Sequence, residues 1–387
     1  MDDHLPTEAL QAGTLRRTDF LKRAAVAGVG MSAAGALLAA ERAAAVDIPF
    51  PPGETPTPDR GLRAHINRFS HLVINVSDLE RARAFYEATF PVTVTARTNG
   101  PPQPYRSLGI KRGQFDGYML NDASEFPSRA IHIVEWKSPR PVGTPYGEAN
   151  HNGFYRTAAL TADIQARHAQ VIAAGSTPYG PPSPIPVGPA GATATAFGFP
   201  DPDGSTLEWI AVPGLPERLS HQNANCRDLR KSFPFYQRVV GLDHNIRPFS
   251  PEPFDQTLGS LGRAIRNPDG TIYEGLVDFD APFFSYRADS RNPIDLLQWE
   301  TPGVFGRPYP KPNHLGIIRL AFEVDDIDAA HHELTKVWKR VAGPPEEWDM
   351  GDFGTRKVVI FEDPDGIMLE LIERPPYGIE INPVTQT

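Results

Sequence analysis

The sequence of 387 residues has little cysteine and no cluster of positive charge. It has one moderately apolar run, near its start, and no second one follows. Cys226 is the single cysteine, so neither an intrachain disulfide nor a cysteine-based metal site can form. Lysine and arginine total 38 against 47 aspartate and glutamate, which gives a net charge of −9. A mildly acidic chain without basic runs argues against nucleic acid as a partner.

The rest of the composition is that of a globular protein. Hydrophobic residues make up 40% and charged residues 22% of the chain, and 387 residues suit roughly two domains. The 41 prolines predict long irregular connections between the elements.

Residues 1–45 are interpreted as an export signal. Arg16 and Arg17 precede Phe20-Leu21-Lys22, an Ala/Gly/Val-rich run follows, and Ala43-Ala44-Ala45 supplies small residues for cleavage. The pattern resembles a bacterial twin-arginine signal, with one extra residue after the arginine pair. The alternative is an amphipathic or anchoring N-terminal helix. We expect an exported protein with no permanent membrane span after signal removal. Residues 46–66 are expected to form a linker.

A ten-residue stretch occurs twice, at Ser70–Leu79 and at Ser220–Leu229. Serine, histidine, asparagine and an Asp-Leu pair recur at identical offsets. Alternation in the first copy predicts a strand with His71, Val73 and Asn75 on one face. A repeat of this length that carries a histidine indicates a duplicated fold.

The chain divides into four similar units, each a strand and a helix followed by further strands. Phe-x-Asp-Pro-Asp-Gly turns at 199–204 and 361–366 close the second and fourth units. Each turn leads into a strand with a glutamate four residues after the glycine, Glu208 and Glu370. Apolar strands of the first and third units carry a polar residue four positions before tryptophan, His132 before Trp136 and Asp295 before Trp299.

These motifs resemble the vicinal oxygen chelate superfamily, which includes glyoxalase I, extradiol dioxygenases and bleomycin-resistance proteins. The resemblance implies an α+β fold of two tandem domains, residues 67–214 and 215–376, followed by a tail at 377–387. Each domain is expected to be a pair of βαβββ modules that closes a curved, cleft-forming mixed sheet.

The resemblance also implies the positions of metal ligands, which in the superfamily come from the first, fourth, fifth and eighth strands of each pair. In the first half these positions fall on His71, His132, Arg156 and Glu208, and in the second half on His221, Asp295, Arg319 and Glu370.

Arginine at the fifth-strand position departs from the family, because a guanidinium has no lone pair to offer a metal. In one interpretation His71, His132 and Glu208 still bind a divalent ion, with Fe(II) favoured and zinc or manganese also suited. His221, Asp295 and Glu370 would then hold a harder cation. Arg156 and Arg319 would act as catalytic residues that stabilise developing negative charge.

In the other interpretation no metal binds. Arg156 then pairs with Glu208, and Arg319 with Asp295 and Glu370, as buried ion pairs. A third alternative leaves one half active and the other a structural relic.

Four further side chains are candidates for substrate binding. Asn75 and Asn225 share the inward face of their strands with the histidines, and Trp136 and Trp299 could form pocket walls. The structural alternatives are a strand-end hydrogen-bond network and core packing.

Two functions follow from the sequence. The first is an exported, metal-dependent dioxygenase, lyase or isomerase that acts on a small oxygenated molecule, catechol-like in one version. The alternative is a metal-free protein that sequesters a small molecule, as bleomycin-resistance members do. In both cases the partner is a small molecule, and a homo-oligomer is compatible with either.

Overall fold

The computed structural model describes residues 61–122, 130–186, 193–212, 214, 216–249, 254–255, 264–286 and 289–374. The expected signal at 1–45, most of the linker at 46–66 and the tail at 377–387 lie outside these residues. In the part of the chain that is described, no helix has the length and apolar character needed to cross a membrane.

The first two units follow the predicted plan of a strand, a helix and further strands. Unit 1 contains β1 (Ile66–Asn75), α1 (Leu79–Thr89), β2 (Val92–Arg97), β3 (Gln103–Tyr105), β4 (Ile110–Asp122) and β5 (Ala130–Ser138). Unit 2 contains β6 (Gly153–Thr161), α2 (Ile164–Ala173), β7 (Ser183–Pro186), β8 (Thr193–Pro200) and β9 (Thr206–Ala211).

Units 3 and 4 repeat that order. Unit 3 contains β10 (Arg218–Asn225), α3 (Leu229–Pro234) continued by a π-helical turn (Phe235–Val240), β11 (Asp243–Phe249), β12 (Phe254–Asp255), β13 (Leu276–Tyr286) and β14 (Asp289–Thr301). Unit 4 contains β15 (Gly316–Val324), α4 (Ile327–Val337), β16 (Glu346–Asp349), β17 (Thr355–Glu362) and β18 (Met368–Glu373).

The strands form two curved mixed sheets, and the α+β fold of paired βαβββ modules is confirmed. In the described residues, sheet I has the order β16-β17-β18-β15-β1-β5-β4-β2, with β3 beside β4. Sheet II has the order β11-β13-β14-β10-β6-β9-β8-β7, with β12 beside β13.

The pairing of consecutive units was predicted wrongly. Sheet I combines units 1 and 4 through the antiparallel pair β1–β15, and sheet II combines units 2 and 3 through β10–β6. Each sheet therefore contains one unit from 67–214 and one from 215–376. All four units carry the same alternation of apolar residues, so this pattern does not select which unit pairs with which.

Strand alternation places one face of each sheet on the helices and the other on a concave surface. In β1, Leu72 and Ile74 belong to the large core that the helices cover, whereas Val73 belongs to a separate cluster with Val134 and Trp136. The inward face predicted for His71, Val73 and Asn75 is therefore the face that lines the concave side of sheet I.

The helix after β1 is capped by an aspartate, and the serine before it bonds to the next unit. Asp78 is the N-cap and accepts a hydrogen bond from the Arg81 amide. Ser77 donates its hydroxyl to Asp203, in the turn of unit 2, at 2.5 Å. The start of unit 1 is thus tied to the Phe-x-Asp-Pro-Asp-Gly turn of the unit that follows it.

An aspartate in each of these turns accepts a hydrogen bond from a tyrosine of the preceding unit. Tyr86 of α1 donates to buried Asp201 at 3.0 Å, and Tyr236 of unit 3 donates to buried Asp363 at 3.2 Å. Because units 1 and 2 belong to different sheets, as do units 3 and 4, these bonds join sheet I to sheet II.

Four stacked rings mark the pseudo-two-fold relation between the halves. Tyr146 stacks on His151 with ring centroids 3.4 Å apart and on Tyr309 with centroids 3.7 Å apart. Tyr309 in turn stacks on His314 with centroids 4.3 Å apart. The imidazole Nδ1 atoms lie 3.0 Å and 2.8 Å from the carbonyls of Asn152 and Leu315. The two histidines therefore serve loop structure.

Candidate functional site

Four strands at the centre of sheet I bring four polar side chains onto its concave face, and we name this group site A. Val73 of β1 lies between His132 of β5 and Arg319 of β15. One row away, His71 lies opposite Ala321, which is paired with Glu370 of β18. Site A therefore consists of His71, His132, Arg319 and Glu370.

An arginine–glutamate ion pair is the centre of site A. Arg319 Nε lies 2.5 Å from Glu370 Oε2, and both side chains are buried. His71 Nε2 lies 3.7 Å from Glu370 Oε1, which is beyond direct hydrogen-bond distance. The His71 and His132 rings meet edge to face with centroids 5.3 Å apart.

Sheet II carries the equivalent group, which we name site B. Asn223 of β10 lies between Asp295 of β14 and Arg156 of β6. Glu208 of β9 is paired with Ala158, two residues beyond Arg156. With His221, two residues before Asn223, site B consists of Arg156, Glu208, His221 and Asp295.

Site B places one guanidinium beside two carboxylates. Arg156 Nε lies 3.1 Å from Glu208 Oε2, and Arg156 Nη2 lies 3.9 Å from Asp295 Oδ2. His221 Nε2 lies 3.7 Å from Glu208 Oε2 and 3.9 Å from Asp295 Oδ2. Asn223 donates its amide to Asp295 Oδ2 at 3.1 Å.

The histidines of both sites are neutral at physiological pH. Burial lowers the pKa of His71 to about 4 and that of His221 to about 3, and it holds the pKa of His132 well below its ordinary value. The Glu370 charge opposes the lowering of the His71 pKa, and the nearby guanidinium adds to the lowering in each site. These imidazoles are available to donate or accept a hydrogen bond but carry no charge.

The pKa values of the site B carboxylates are shifted in the opposite direction, upward. Burial raises the pKa of Glu208 to about 7, with Arg156 opposing and Asp295 adding to the rise. Burial likewise raises the pKa of Asp295 to about 6, with Arg156 opposing. Two carboxylates that share one guanidinium away from water hold a proton more tightly than isolated ones.

The metal-ligand sets expected from the resemblance are divided between the two sheets. His71 and His132 lie in site A, whereas Glu208 lies in site B, so the set of His71, His132 and Glu208 is wrong. The set of His221, Asp295 and Glu370 is wrong for the same reason, because Glu370 lies in site A.

The sets that the sheets do assemble do not fit a metal. The fourth position in each is an arginine, which cannot ligate and already binds the glutamate that would be a ligand. His132 Nε2 lies 2.8 Å from the Thr98 hydroxyl. Within the described ranges, no group of three or more histidine, cysteine, aspartate or glutamate side chains is arranged to hold a metal ion.

The arginine pairs agree with the metal-free interpretation in two cases out of three. Arg156 pairs with Glu208 and Arg319 with Glu370, as that interpretation predicts. The expected pairing of Arg319 with Asp295 is wrong, because Asp295 lies in sheet II beside Arg156.

The proposed substrate-binding residues have structural partners. Asn75 donates to the carbonyls of Pro312 and His314 at 2.7 and 2.8 Å. Asn225 does the same for Ala149 and His151, at 2.8 and 2.7 Å. These are the strand-end hydrogen-bond networks of the alternative interpretation.

Both tryptophans lie in the hydrophobic cores of the concave faces. Trp136 packs with Tyr105 and Phe115, and Trp299 packs with Phe279. Trp299 also donates its indole N–H to Asn225 at 3.0 Å.

Two polar residues of the sites were not predicted. Asn223, which holds Asp295, lies two residues after His221, so strand alternation would have placed both on one face. Thr98, the partner of His132, follows β2 in a loop with no distinctive pattern, and it becomes a neighbour only through the fold.

Comparison with known proteins agrees with this architecture. Residues 68–209 match the family model described as Glyoxalase/Bleomycin resistance protein/Dioxygenase superfamily. A lactoylglutathione lyase of Arabidopsis thaliana is 25% identical over 324 residues, which cover 81% of this chain and 94% of the relative. A putative lactoylglutathione lyase of Brassica oleracea var. gemmifera is 27% identical over the same share of both chains.

The solved structure of glyoxalase I from Zea mays has the same fold at 18% identity. The TM-score is 0.52, and the similarity covers 79% of this chain and 92% of the maize chain. The chain therefore carries a domain of the Glyoxalase/Bleomycin resistance protein/Dioxygenase superfamily, which is the resemblance that its motifs predicted.

Proposed function

We propose that this protein binds a small oxygenated molecule on the concave face of a sheet and that arginine replaces the metal ion typical of its superfamily. The observation that carries the proposal is the direct ion pair in each site, Arg156 with Glu208 and Arg319 with Glu370. Each guanidinium occupies the ligand position from which the family would bind a metal, and it neutralises the same carboxylate.

Unsatisfied buried polar atoms support a polar ligand. His71 Nε2, His132 Nδ1 and Glu370 Oε1 in site A, and Asp295 Oδ1 in site B, are buried without a hydrogen-bond partner among the described residues. A buried polar group left without a partner costs about 1–3 kcal/mol. A bound molecule with complementary donors and acceptors removes that cost, which makes these surfaces suitable for binding.

The binding function is tested on protein freed of metal by a chelator. Catechol and a panel of small hydroxylated compounds are titrated while the melting temperature is followed, with Arg156→Met and Arg319→Met as variants. We expect at least one compound to raise the melting temperature of the wild type without added metal, and one of the two variants to lose the response. A response that appears only after divalent metal is added would contradict the proposal.

A second candidate is an enzyme, because the relatives that cover 81% of this chain are lactoylglutathione lyases. In that case the neutral histidines and the protonatable Glu208 would transfer protons on a small carbonyl compound. Formation of lactoylglutathione is measured with metal-free protein and with Glu208→Gln. Turnover by the wild type that Glu208→Gln abolishes would support the enzyme, and equal rates would reject it.

We also propose export, on the basis of Arg16-Arg17 and the apolar run that follows. The test is expression of the full chain in a bacterium with a twin-arginine pathway, beside the double variant Arg16→Lys, Arg17→Lys. We expect the wild type outside the cytoplasm and the variant inside it. The same distribution for both would reject a twin-arginine route.

A further inference from the structure

Sites A and B differ in one titratable position, which changes their charge. His132 of site A corresponds to Asp295 of site B, because each pairs with the middle strand residue of its site, Val73 or Asn223. In site A the Arg319 and Glu370 charges cancel. In site B, Arg156 faces both Glu208 and Asp295, so the fully ionised site carries one surplus negative charge.

The hydrogen-bonding groups differ in the same direction. The buried side-chain atoms without a partner in site A include both donors and acceptors, namely Arg319 Nη1, the two imidazoles and Glu370 Oε1. In site B the corresponding acceptors among the described residues are Glu208 Oε1, Asp295 Oδ1 and the neighbouring Asn223 Oδ1, whereas Glu208 Oε2 and Arg156 Nε face each other at 3.1 Å. A ligand that complements site B must therefore donate hydrogen bonds.

Access also favours site B. His71, His132, Arg319 and Glu370 of site A are 0–2% exposed, and Trp348 lies against Arg319 with its ring centroid 5.8 Å from the guanidinium carbon. Arg156, His221 and Asp295 are 8%, 7% and 5% exposed, so solvent reaches three of the four side chains of site B.

We infer that site B binds a small organic cation that donates hydrogen bonds, of the class of hydroxylated ammonium compounds, and that Asp295 determines this specificity. The inference rests on the proposed binding function and names the ligand class for one of its two sites. A surplus buried negative charge is costly unless it is paired, and an ammonium group pairs with it while satisfying the acceptors. Site A has neither the surplus charge nor the exposure.

The test uses three probes of similar size and different charge: ethanolammonium, ethylene glycol and glycolate. The full chain is labelled with ¹³C-histidine and treated with a chelator, and the imidazole resonances of His221 and His71 are assigned with His→Gln variants. His221 reports on site B, because its Nε2 lies within 4 Å of both carboxylates, and His71 reports on site A. Calcium chloride forms a fourth arm that distinguishes an inorganic cation from an organic one.

We expect ethanolammonium to shift the His221 resonance saturably, to leave His71 unchanged, and to bind at least about tenfold more tightly than either of the other organic probes. Asp295→Asn should reduce that affinity at least about tenfold, whereas the control Asp269→Asn, an exposed loop acid of the same unit, should not. If Asp295→Asn does not fold, the preference of the wild type for ethanolammonium over the two other organic probes tests the inference by itself.

Three results would overturn the inference. If ethylene glycol binds as tightly as ethanolammonium, the charge of Asp295 does not determine which ligand binds. If calcium alone shifts the His221 resonance, the site binds an inorganic cation. If neither histidine responds to any probe, both the inference and the proposed binding function are contradicted. Binding without charge preference contradicts only the inference.

Discussion

At the scale of single residues, the decisive feature is an arginine at the position where the family resemblance implies a metal ligand. Histidine at this position would offer a lone pair, whereas Arg156 and Arg319 offer only donors and a permanent charge. The structure shows what that charge does, since each guanidinium lies against a buried glutamate. Of the interpretations that the sequence left open, the metal-free one contained this pairing for Glu208 and Glu370, but it also assigned Asp295 wrongly to Arg319.

The Arg319–Glu370 pair gives a stability prediction. Arg319→Met leaves Glu370 as a buried carboxylate without its cation, and we expect a loss of about 3–5 kcal/mol in the free energy of unfolding, measured by urea denaturation. The double variant Arg319→Met, Glu370→Leu removes both charges and should recover most of that loss. A double variant as unstable as the single one would show that the charge pair is not the cause.

Asp295 gives a prediction for the pH dependence of stability. Its pKa is higher in the folded protein, about 6, than the ordinary value of 3.8, so its contribution to stability is complete below about pH 4 and is lost as the pH rises through 6. Asp295→Asn should therefore stabilise the protein at pH 8, on the order of 2 kcal/mol, and the gain should shrink as the pH falls. A gain that is constant between pH 8 and pH 4 would exclude this cause.

At the scale of strands, helices and turns, the sequence was informative about each unit and silent about its partner. Alternation predicted that His71, Val73 and Asn75 share one face of β1, and Val73 lies in the cluster on the concave side. The two Asp-Pro-Asp-Gly turns were identified as links between strands, but their second function was not. Asp201 and Asp363 also bind tyrosines of another unit, and no local pattern reveals that contact.

The loops that carry the four stacked rings need glycine at two equivalent positions. Gly143 and Gly306 have φ of 72° and 69°, and a Cβ at either would overlap the ring of His314 or His151. Gly175 has φ of 87° but no heavy atom within 4 Å of such a Cβ, so it is a matched control for backbone strain alone. Gly143→Ala should cost at least about 1 kcal/mol more than Gly175→Ala in thermal unfolding. Equal costs would show that the ring contact is unimportant.

At the scale of the whole molecule, the sheets interlock the halves of the chain. The first and last units share sheet I, the middle units share sheet II, and bonds such as Tyr86 to Asp201 cross between the sheets. Four units with the same alternation are each compatible with several partners, so the pairing depends on tertiary contacts that the sequence pattern does not encode. Both candidate sites consequently need residues from both halves.

This arrangement predicts the behaviour of the separated halves. Residues 61–214 and 215–376, co-expressed as two chains, should purify as a stable 1:1 complex, because β1 needs β15 and β10 needs β6. Either half expressed alone should not give a monomer with cooperative unfolding. Two halves that fold separately as monomers, by analytical ultracentrifugation and thermal melts, would instead support pairing of consecutive units.

The most direct measurement is the metal content of the whole protein after loading with Fe(II), zinc or manganese and removal of excess ion. If arginine replaces the metal, the wild type should hold less than about a tenth of an equivalent, whereas Arg319→His or Arg156→His, which supplies the missing lone pair, should gain metal toward one equivalent. A wild type that retains about one equivalent per site, and loses it when His71 or His221 is changed to alanine, would contradict the account.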